Sequence, residues 1–122
     1  KQVHFGNLDE VLNLYLLFYD EKILDVEECG ISSFPVFPNL TILFLSGNNL
    51  KTFPVQPSLQ FCYLNYNKIS LFQTQPELKD CYLSNNNLKH FAFQPKLIRA
   101  DLSFNPDLDC SLFIKSSIFI KI

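Results

Sequence analysis

The stretch LTILFLSGNNLKTFPVQPS, residues 40–58, decides the fold because its pattern returns along the chain. Further copies begin at Leu59, Leu78 and Leu97, each nineteen residues after the previous one, and a weaker copy begins at Glu21. We call each copy a coil and number its positions from 1 to 19. A repeat of this period predicts a solenoid, in which each coil buries its apolar edge against its neighbours.

Position-specific residue types predict how each coil folds. The apolar residues at positions 4 and 6 alternate with other residue types, so a short strand with one face inward is expected around these positions. Strands of successive coils would stack about 4.8 Å apart into a parallel sheet. Asparagine holds position 9 in four coils, where its amide can pair backbone groups that a turn leaves open. Phenylalanine at position 14 would fill the outer core, and the prolines that follow exclude a helix there.

The spacing L-x-x-L-x-L-x-x-N-x-L is that of the leucine-rich repeat. The outer segments FPVFPNL, FPVQPSL, FQTQPEL and FAFQPKL, within residues 21–110, resemble those of the bacterial class found in Yersinia outer protein M and invasion plasmid antigen H. The chain departs from that class in its shorter coil and in Phe-Pro where the class usually has Leu-Pro. The bias of the chain toward Phe, Ile, Asn and Lys suits an AT-rich genome. A small effector of a Legionella-like intracellular bacterium would fit this composition.

The pattern and the resemblance together predict the architecture. We expect an α/β-type leucine-rich-repeat solenoid, right-handed, with a short parallel β-sheet on the concave side and an extended, irregular convex side. Residues 1–20 would form an N-terminal cap helix, residues 21–115 five repeats of nineteen residues, and residues 116–122 a terminal strand or the remnant of a cap.

The cap helix is predicted over residues 7–19. Asn7 and Glu10 have the spacing of a capping box, with Asn7 as N-cap. The helical spacing then places five apolar side chains on one face, which would cover the first coil. These residues are Leu8, Val11, Leu12, Tyr15 and Leu16.

Composition argues against several function classes. The 122 residues carry a net charge of −2, and 18% of them are charged, which does not favour a nucleic-acid binder that neutralises phosphates or a polybasic membrane anchor. The longest apolar run is far shorter than a membrane span. The two histidines, His4 and His90, are placed away from the expected thiols, so a Cys–His nucleophile and catalysis are not predicted.

The four cysteines are predicted to be reduced core residues. Cys62 and Cys81 share position 4 of adjacent coils, where a disulfide is geometrically conceivable. Cys29 takes the asparagine slot and Cys110 the phenylalanine slot. There is no C-x-x-C pair, so neither a metal site nor a cofactor is predicted. Free core thiols favour a reducing compartment such as a cytosol.

The exposed side of the predicted sheet is the candidate binding site. Positions 3, 5 and 8 bring an aromatic centre and a charged rim to this concave face, which is the anatomy of a protein interface. Cross-strand aromatics that merely stabilise the sheet are the alternative reading. The ten candidate partner-binding residues are Asp25, Glu28, Phe44, Phe61, Tyr63, Tyr66, Asp80, Tyr82, Arg99 and Asp101.

These observations favour a non-catalytic, monomeric protein-protein interaction module. The resemblance implies a secreted bacterial effector that binds a host protein in the host cytosol. The alternatives are a substrate-targeting fragment of a larger enzyme such as a ubiquitin ligase, and a eukaryotic repeat adaptor that works in its own cytoplasm.

Overall fold

The nineteen-residue repeat forms one turn of a parallel solenoid per coil. The computed structural model describes residues 9–109 and 119–122. One helix, α1, covers Glu10–Phe18. The strands are β1 (Ile23–Asp25), β2 (Ile42–Phe44), β3 (Phe61–Tyr63), β4 (Leu71–Phe72), β5 (Asp80–Tyr82), β6 (His90–Phe91), β7 (Arg99–Asp101) and β8 (Phe119–Lys121).

The main sheet has six strands in the order β1-β2-β3-β5-β7-β8, and every neighbouring pair is parallel. The first five of these strands occupy positions 3–5 of successive coils, and the alternation at positions 4 and 6 had predicted a short strand there. The register is fixed by the repeat, because residues nineteen apart are direct partners, such as Leu43 and Cys62. Each side chain therefore lies beside the side chain of the same coil position in the next turn.

The core consists of columns that run along the solenoid axis. The apolar residues at positions 4, 6 and 11 are buried, as are the phenylalanines at position 14. The rings of Phe34, Phe53, Phe72 and Phe91 follow one another with centroids 5.5–6.0 Å apart and nearly parallel planes. Such a column confirms the predicted solenoid fold, since each coil can bury its apolar edge only against the next.

A ladder of asparagine side chains at position 9 closes the turn after the main sheet. The Oδ1 atom of each accepts the position 11 N–H of the preceding coil, and its Nδ2 atom donates to the position 6 carbonyls of both coils. All of these distances lie between 2.9 and 3.1 Å. The ladder residues are Asn48, Asn67, Asn86 and Asn105. They are buried, so each amide satisfies backbone groups that water does not reach.

A second ladder, of glutamines at position 17, lies on the outer side and was not predicted. Gln56, Gln75 and Gln94 are buried. Each Oε1 accepts the position 17 N–H of the preceding coil at 2.7–2.8 Å. Each Nε2 donates to the position 15 carbonyl of the same preceding coil at 2.8–3.2 Å. The prolines of this arc interrupt regular strand pairing, so the glutamine amides join the coils here instead. A short parallel pair, β4 with β6, adds to the predicted extended outer side.

The cap helix turns a different face to the core from the one predicted. Glu10 and Leu14 are its buried residues, and Phe18 packs against the core from the same side. Val11, Leu12, Tyr15 and Leu16 of the predicted face are exposed, although the Tyr15 ring stacks on Phe37 at 6.0 Å. The helix carries apolar residues on all of its sides, so their spacing alone did not indicate which face packs against the core.

The predicted capping box is also wrong for Glu10. The helix begins at Glu10 with Asp9 as N-cap, while Asn7 and Leu8 lie outside the described residues. The Glu10 carboxylate instead reaches the first coil, where it accepts the Ser32 N–H at 2.9 Å, the Ser32 hydroxyl at 2.8 Å and the Ser33 N–H at 2.9 Å. A buried carboxylate is tolerated here because donors surround it, and it attaches the cap to the solenoid.

We expect Glu10→Ala to lower the free energy of unfolding by about 2 kcal/mol, because charge-assisted hydrogen bonds are lost and two backbone N–H groups lose their acceptor. Urea unfolding followed by circular dichroism measures the change. Glu21→Ala is the control, since Glu21 is exposed. Equal midpoints for the two variants would show that Glu10 does not hold the cap.

Candidate functional site

Three aromatic rings form a stack along the exposed face of the main sheet. Phe44, Tyr63 and Tyr82 occupy position 5 of successive coils and are partly exposed. The ring centroids are 4.8 Å apart, with interplanar angles of 7° and 1°. This spacing equals the distance between parallel strands, because in-register pairing sets the rings side by side. We call this stack the aromatic ladder.

Phe61 and Ile42 extend the aromatic ladder sideways. They are position 3 neighbours on β3 and β2, and both are partly exposed. Side chains at positions 3 and 5 project from the same face of a strand, so these two residues widen the apolar strip. Of the predicted aromatic residues, the structure therefore brings Phe44, Phe61, Tyr63 and Tyr82 into one continuous surface.

Tyr66 stands apart from the strip, on the turn that follows β3. Tyr66 is 64% exposed. Its backbone is left-handed, with φ of 58°, and every residue at position 8 of the five coils shares this conformation. Gly47 occupies the same position in the preceding coil, where the conformation suits glycine best. The turn thus holds Tyr66 at the edge of the sheet face rather than on the aromatic ladder.

The charged residues of the predicted rim lie at the two ends of the aromatic ladder. Asp80 and Arg99 are direct cross-strand partners on β5 and β7. Asp101 follows Tyr82 in the position 5 column, and its Oδ1 accepts hydrogen bonds from the Ser103 N–H and hydroxyl at 3.0 and 2.6 Å. At the other end, Asp25 precedes Phe44 in the same column, and Glu28 lies on the first position 8 turn.

Sequence reasoning left out one part of this site. Glu27, Glu28, Ser46, Gly47 and Tyr66 line a notch at the edge of the sheet face. The sequence signal for this notch was a pair of acidic residues at positions 7 and 8 of the first coil, followed by glycine at position 8 of the second. That signal points to a notch only once the left-handed turn is known.

The described cysteines are buried, free thiols. Cys62 and Cys81 are direct partners in the sheet but are not bonded to each other. Burial raises the pKa of the Cys62 thiol. Burial also raises the pKa of the Cys81 thiol, with smaller contributions from Cys62, Asp80 and Asp101. Both thiols are therefore protonated and poor nucleophiles. Cys110 and His4 lie outside the described residues, and His90 is an exposed residue of β6.

We expect Cys62 and Cys81 to resist alkylation by iodoacetamide in the native protein at neutral pH, because the thiolate is the reactive form. Unfolding without reductant should expose four thiols, and a count of two would reveal a disulfide. Because both pKa values are raised on folding, the stability that protonated thiols contribute is complete below their ordinary pKa of 9.0 and is lost as the pH rises above it.

Within the part of the chain that the structure describes, no cluster of metal-ligating side chains occurs, and no helix has the length and apolar character needed to cross a membrane. The exposed face of the main sheet carries stacked rings, hydroxyls and carboxylates.

Comparison with known families identifies the repeat. The family model described as Leucine Rich Repeat matches residues 39–57, which form most of the second coil. No curated protein matches the sequence. The nineteen-residue coils, their parallel sheet and this match make the chain a leucine-rich-repeat protein that forms a parallel β-solenoid of about five turns.

Proposed function

We propose that the chain is a non-catalytic protein-binding module whose contact surface is the aromatic ladder with its flanking residues. One observation carries the proposal. Position 5 holds Phe44, Tyr63 and Tyr82 in the middle coils, but Asp25 and Asp101 in the outer ones. Since the same strand position accepts a carboxylate, the fold does not require an aromatic side chain there.

The chemistry of the ladder fits a protein partner. Tyrosine offers a broad apolar ring and a hydroxyl, and few rotatable bonds are frozen when it is buried. The stack is already ordered, so its rings lose little further freedom on binding. Asp25, Glu28, Asp80, Arg99 and Asp101 would form the polar rim, which governs association rate and salt dependence more than affinity.

The test is the double variant Tyr63→Ala/Tyr82→Ala. Proteins captured from a cell lysate by the parent are identified, and the affinity of each purified partner is then measured for both forms. We expect the variant to lose about 2 kcal/mol or more of binding free energy, as truncated central anchors do. Its circular dichroism should stay unchanged, because position 5 faces solvent.

Val55→Ala/Phe93→Ala is the matched control, because it removes two exposed apolar side chains at position 16 of the outer arc, away from the sheet face. The control should retain the parent's affinity. A folded Tyr63→Ala/Tyr82→Ala variant that still binds every partner of the parent as tightly would refute the proposal.

The partner we propose is a host protein, and the chain would act as a secreted bacterial effector in the host cytosol. This finer proposal is supported by the resemblance of the Pro-x-x-Pro outer segments to those of bacterial repeats and by the free thiols, which suit a reducing compartment. A reporter fused to the chain in the source bacterium tests it. The reporter should reach the cytosol of infected cells, and its retention in the bacterium would contradict the effector role.

A further inference from the structure

The two ends of the sheet face differ in how their charges are balanced. At the far end, acids and cations alternate across the strands, with Asp80 beside Arg99 and Asp101 beside Lys121. At the first end, Asp25, Glu27 and Glu28 are exposed. Within the described residues, no lysine or arginine forms an ion pair with these three carboxylates. The face therefore presents a net negative potential at one end of the aromatic ladder.

The notch that Glu27, Glu28, Ser46, Gly47 and Tyr66 line lies beside this acidic end and is open to solvent. Ser46 and Gly47 lie between the carboxylates of Glu27 and Glu28 and the exposed ring of Tyr66. A Cβ atom on Gly47 would lie 2.8 Å from Cγ of Glu28, so the glycine leaves the space that the Glu28 side chain crosses. Carboxylates on one side and an aromatic ring on the other form a combination that attracts a cation.

We propose that the partner inserts an arginine or lysine side chain into this notch while an apolar or aromatic side chain of the same segment lies on the aromatic ladder. Arginine fits best, since a planar guanidinium can stack on Tyr66 and donate to a carboxylate at the same time. This inference rests on the proposed function and names the chemistry of the partner.

Strand geometry sets the spacing of the two partner residues. The notch residues at positions 7 and 8 follow the aromatic ladder at position 5 by two or three residues, and a fully extended chain would separate them by at most about 7–10 Å. An extended partner segment covers this distance in a similar number of residues. The basic residue and the apolar residue should therefore be two or three positions apart.

The probe is a library of random peptides displayed on phage and selected against the intact chain. We expect enriched sequences to combine Arg or Lys with an aromatic or aliphatic residue at that spacing. Selected peptides are then synthesised, and their affinities are measured at low and at physiological salt. Enrichment without a basic residue, or no enrichment at all, would overturn the inference.

Variants of the notch separate this inference from the proposed function. Glu27→Gln/Glu28→Gln should weaken the selected peptides about tenfold and flatten their salt dependence, because two charge contacts are lost together with the local potential. Glu21→Gln/Asp107→Asn removes the same charge elsewhere on the surface and should leave affinity within about twofold.

A second pair of variants tests the ring. Tyr66→Asn should weaken the binding of the peptides several-fold, because the ring is lost. The substitution should keep the left-handed turn, because Asn85 adopts the same conformation in the next coil. Phe104→Asn is the control, because Phe104 has the same coil position, φ of 57° and 74% exposure, but lies away from the notch. It should leave affinity unchanged.

The outcomes are distinct. Peptides that lose binding to Tyr63→Ala/Tyr82→Ala but not to Glu27→Gln/Glu28→Gln would refute the notch and leave the proposed face standing. Peptides that bind Tyr63→Ala/Tyr82→Ala as well as the parent would refute the proposed face itself.

Discussion

Replacing Asn86 with alanine lowers the free energy of unfolding by about 2–4 kcal/mol, the largest effect that we expect from a single substitution in this chain. Asn86 Oδ1 accepts the Ile69 N–H at 3.1 Å, and Nδ2 donates to the carbonyls of Leu64 and Leu83, each at 3.0 Å. Alanine leaves the buried Ile69 N–H without an acceptor, and it removes one of the two amide donors of each carbonyl, which keep only Asn67 and Asn105. Because Ile69 and Leu64 belong to the preceding coil, the substitution also weakens the coupling between the two coils.

Asn87→Ala is the matched control for Asn86→Ala. Asn87 is exposed and differs from Asn86 by one place in the chain. Surface changes usually cost within about 0.5 kcal/mol. Asn85 is a poorer control, because its φ of 57° strains any alanine placed there. Denaturant titration compares the midpoints, and equal values for the Asn86 and Asn87 variants would contradict the assigned register of the repeat.

Gln75→Ala should lower the free energy of unfolding by about 2–3 kcal/mol, because the glutamine ladder joins coils on the outer side. Gln75 is fully buried. Its Oε1 accepts the Gln56 N–H at 2.7 Å, and its Nε2 donates to the Pro54 carbonyl at 3.2 Å. Alanine removes both partners and leaves a cavity, which adds to the cost.

Gln73→Ala provides the comparison for Gln75→Ala. Gln73 is exposed, and its Nε2 donates one longer hydrogen bond of 3.3 Å to the Phe53 carbonyl. We expect its loss to shift the unfolding midpoint much less. If both glutamine variants unfold at the same denaturant concentration, the outer ladder does not hold the coils together.

The repeat made most of the fold predictable. Once Leu40 and its three equivalents had set the period, each column of the core followed, because residues nineteen apart become neighbours in space. The asparagine ladder was predictable for the same reason, since a buried turn needs a side chain that both donates and accepts. Periodicity supplied information that no single coil carries.

The cap helix and the glutamine ladder show where that information ends. The cap occurs once, so nothing in the repeat indicated that Leu14, rather than Leu12, would be buried. Glu10 packs inward because Ser32 and Ser33 supply three donors, a match that depends on tertiary placement. Glutamine at position 17 does recur in three coils, but amide side chains on a proline-rich arc are usually exposed.

The candidate site, too, was predictable from the sequence only in part. Strand alternation predicted that Tyr63 and Tyr82 share one face, and the structure stacks their rings 4.8 Å apart. The placement of Tyr66 across the notch from Glu28 depends instead on the left-handed position 8 turn, which leaves little trace in the sequence apart from Gly47. That the face binds a protein stays a prediction.

Photo-cross-linking from the two sides of the solenoid tests the central claim most directly. A photoreactive benzoylphenylalanine replaces either Tyr66, at the edge of the sheet face, or Phe93, which is 77% exposed on the outer arc. Each protein is irradiated with a partner captured by the parent. We predict a covalent adduct from position 66 and none from position 93. An adduct from residue 93, with none from residue 66, would contradict binding through the aromatic ladder and its flanking residues.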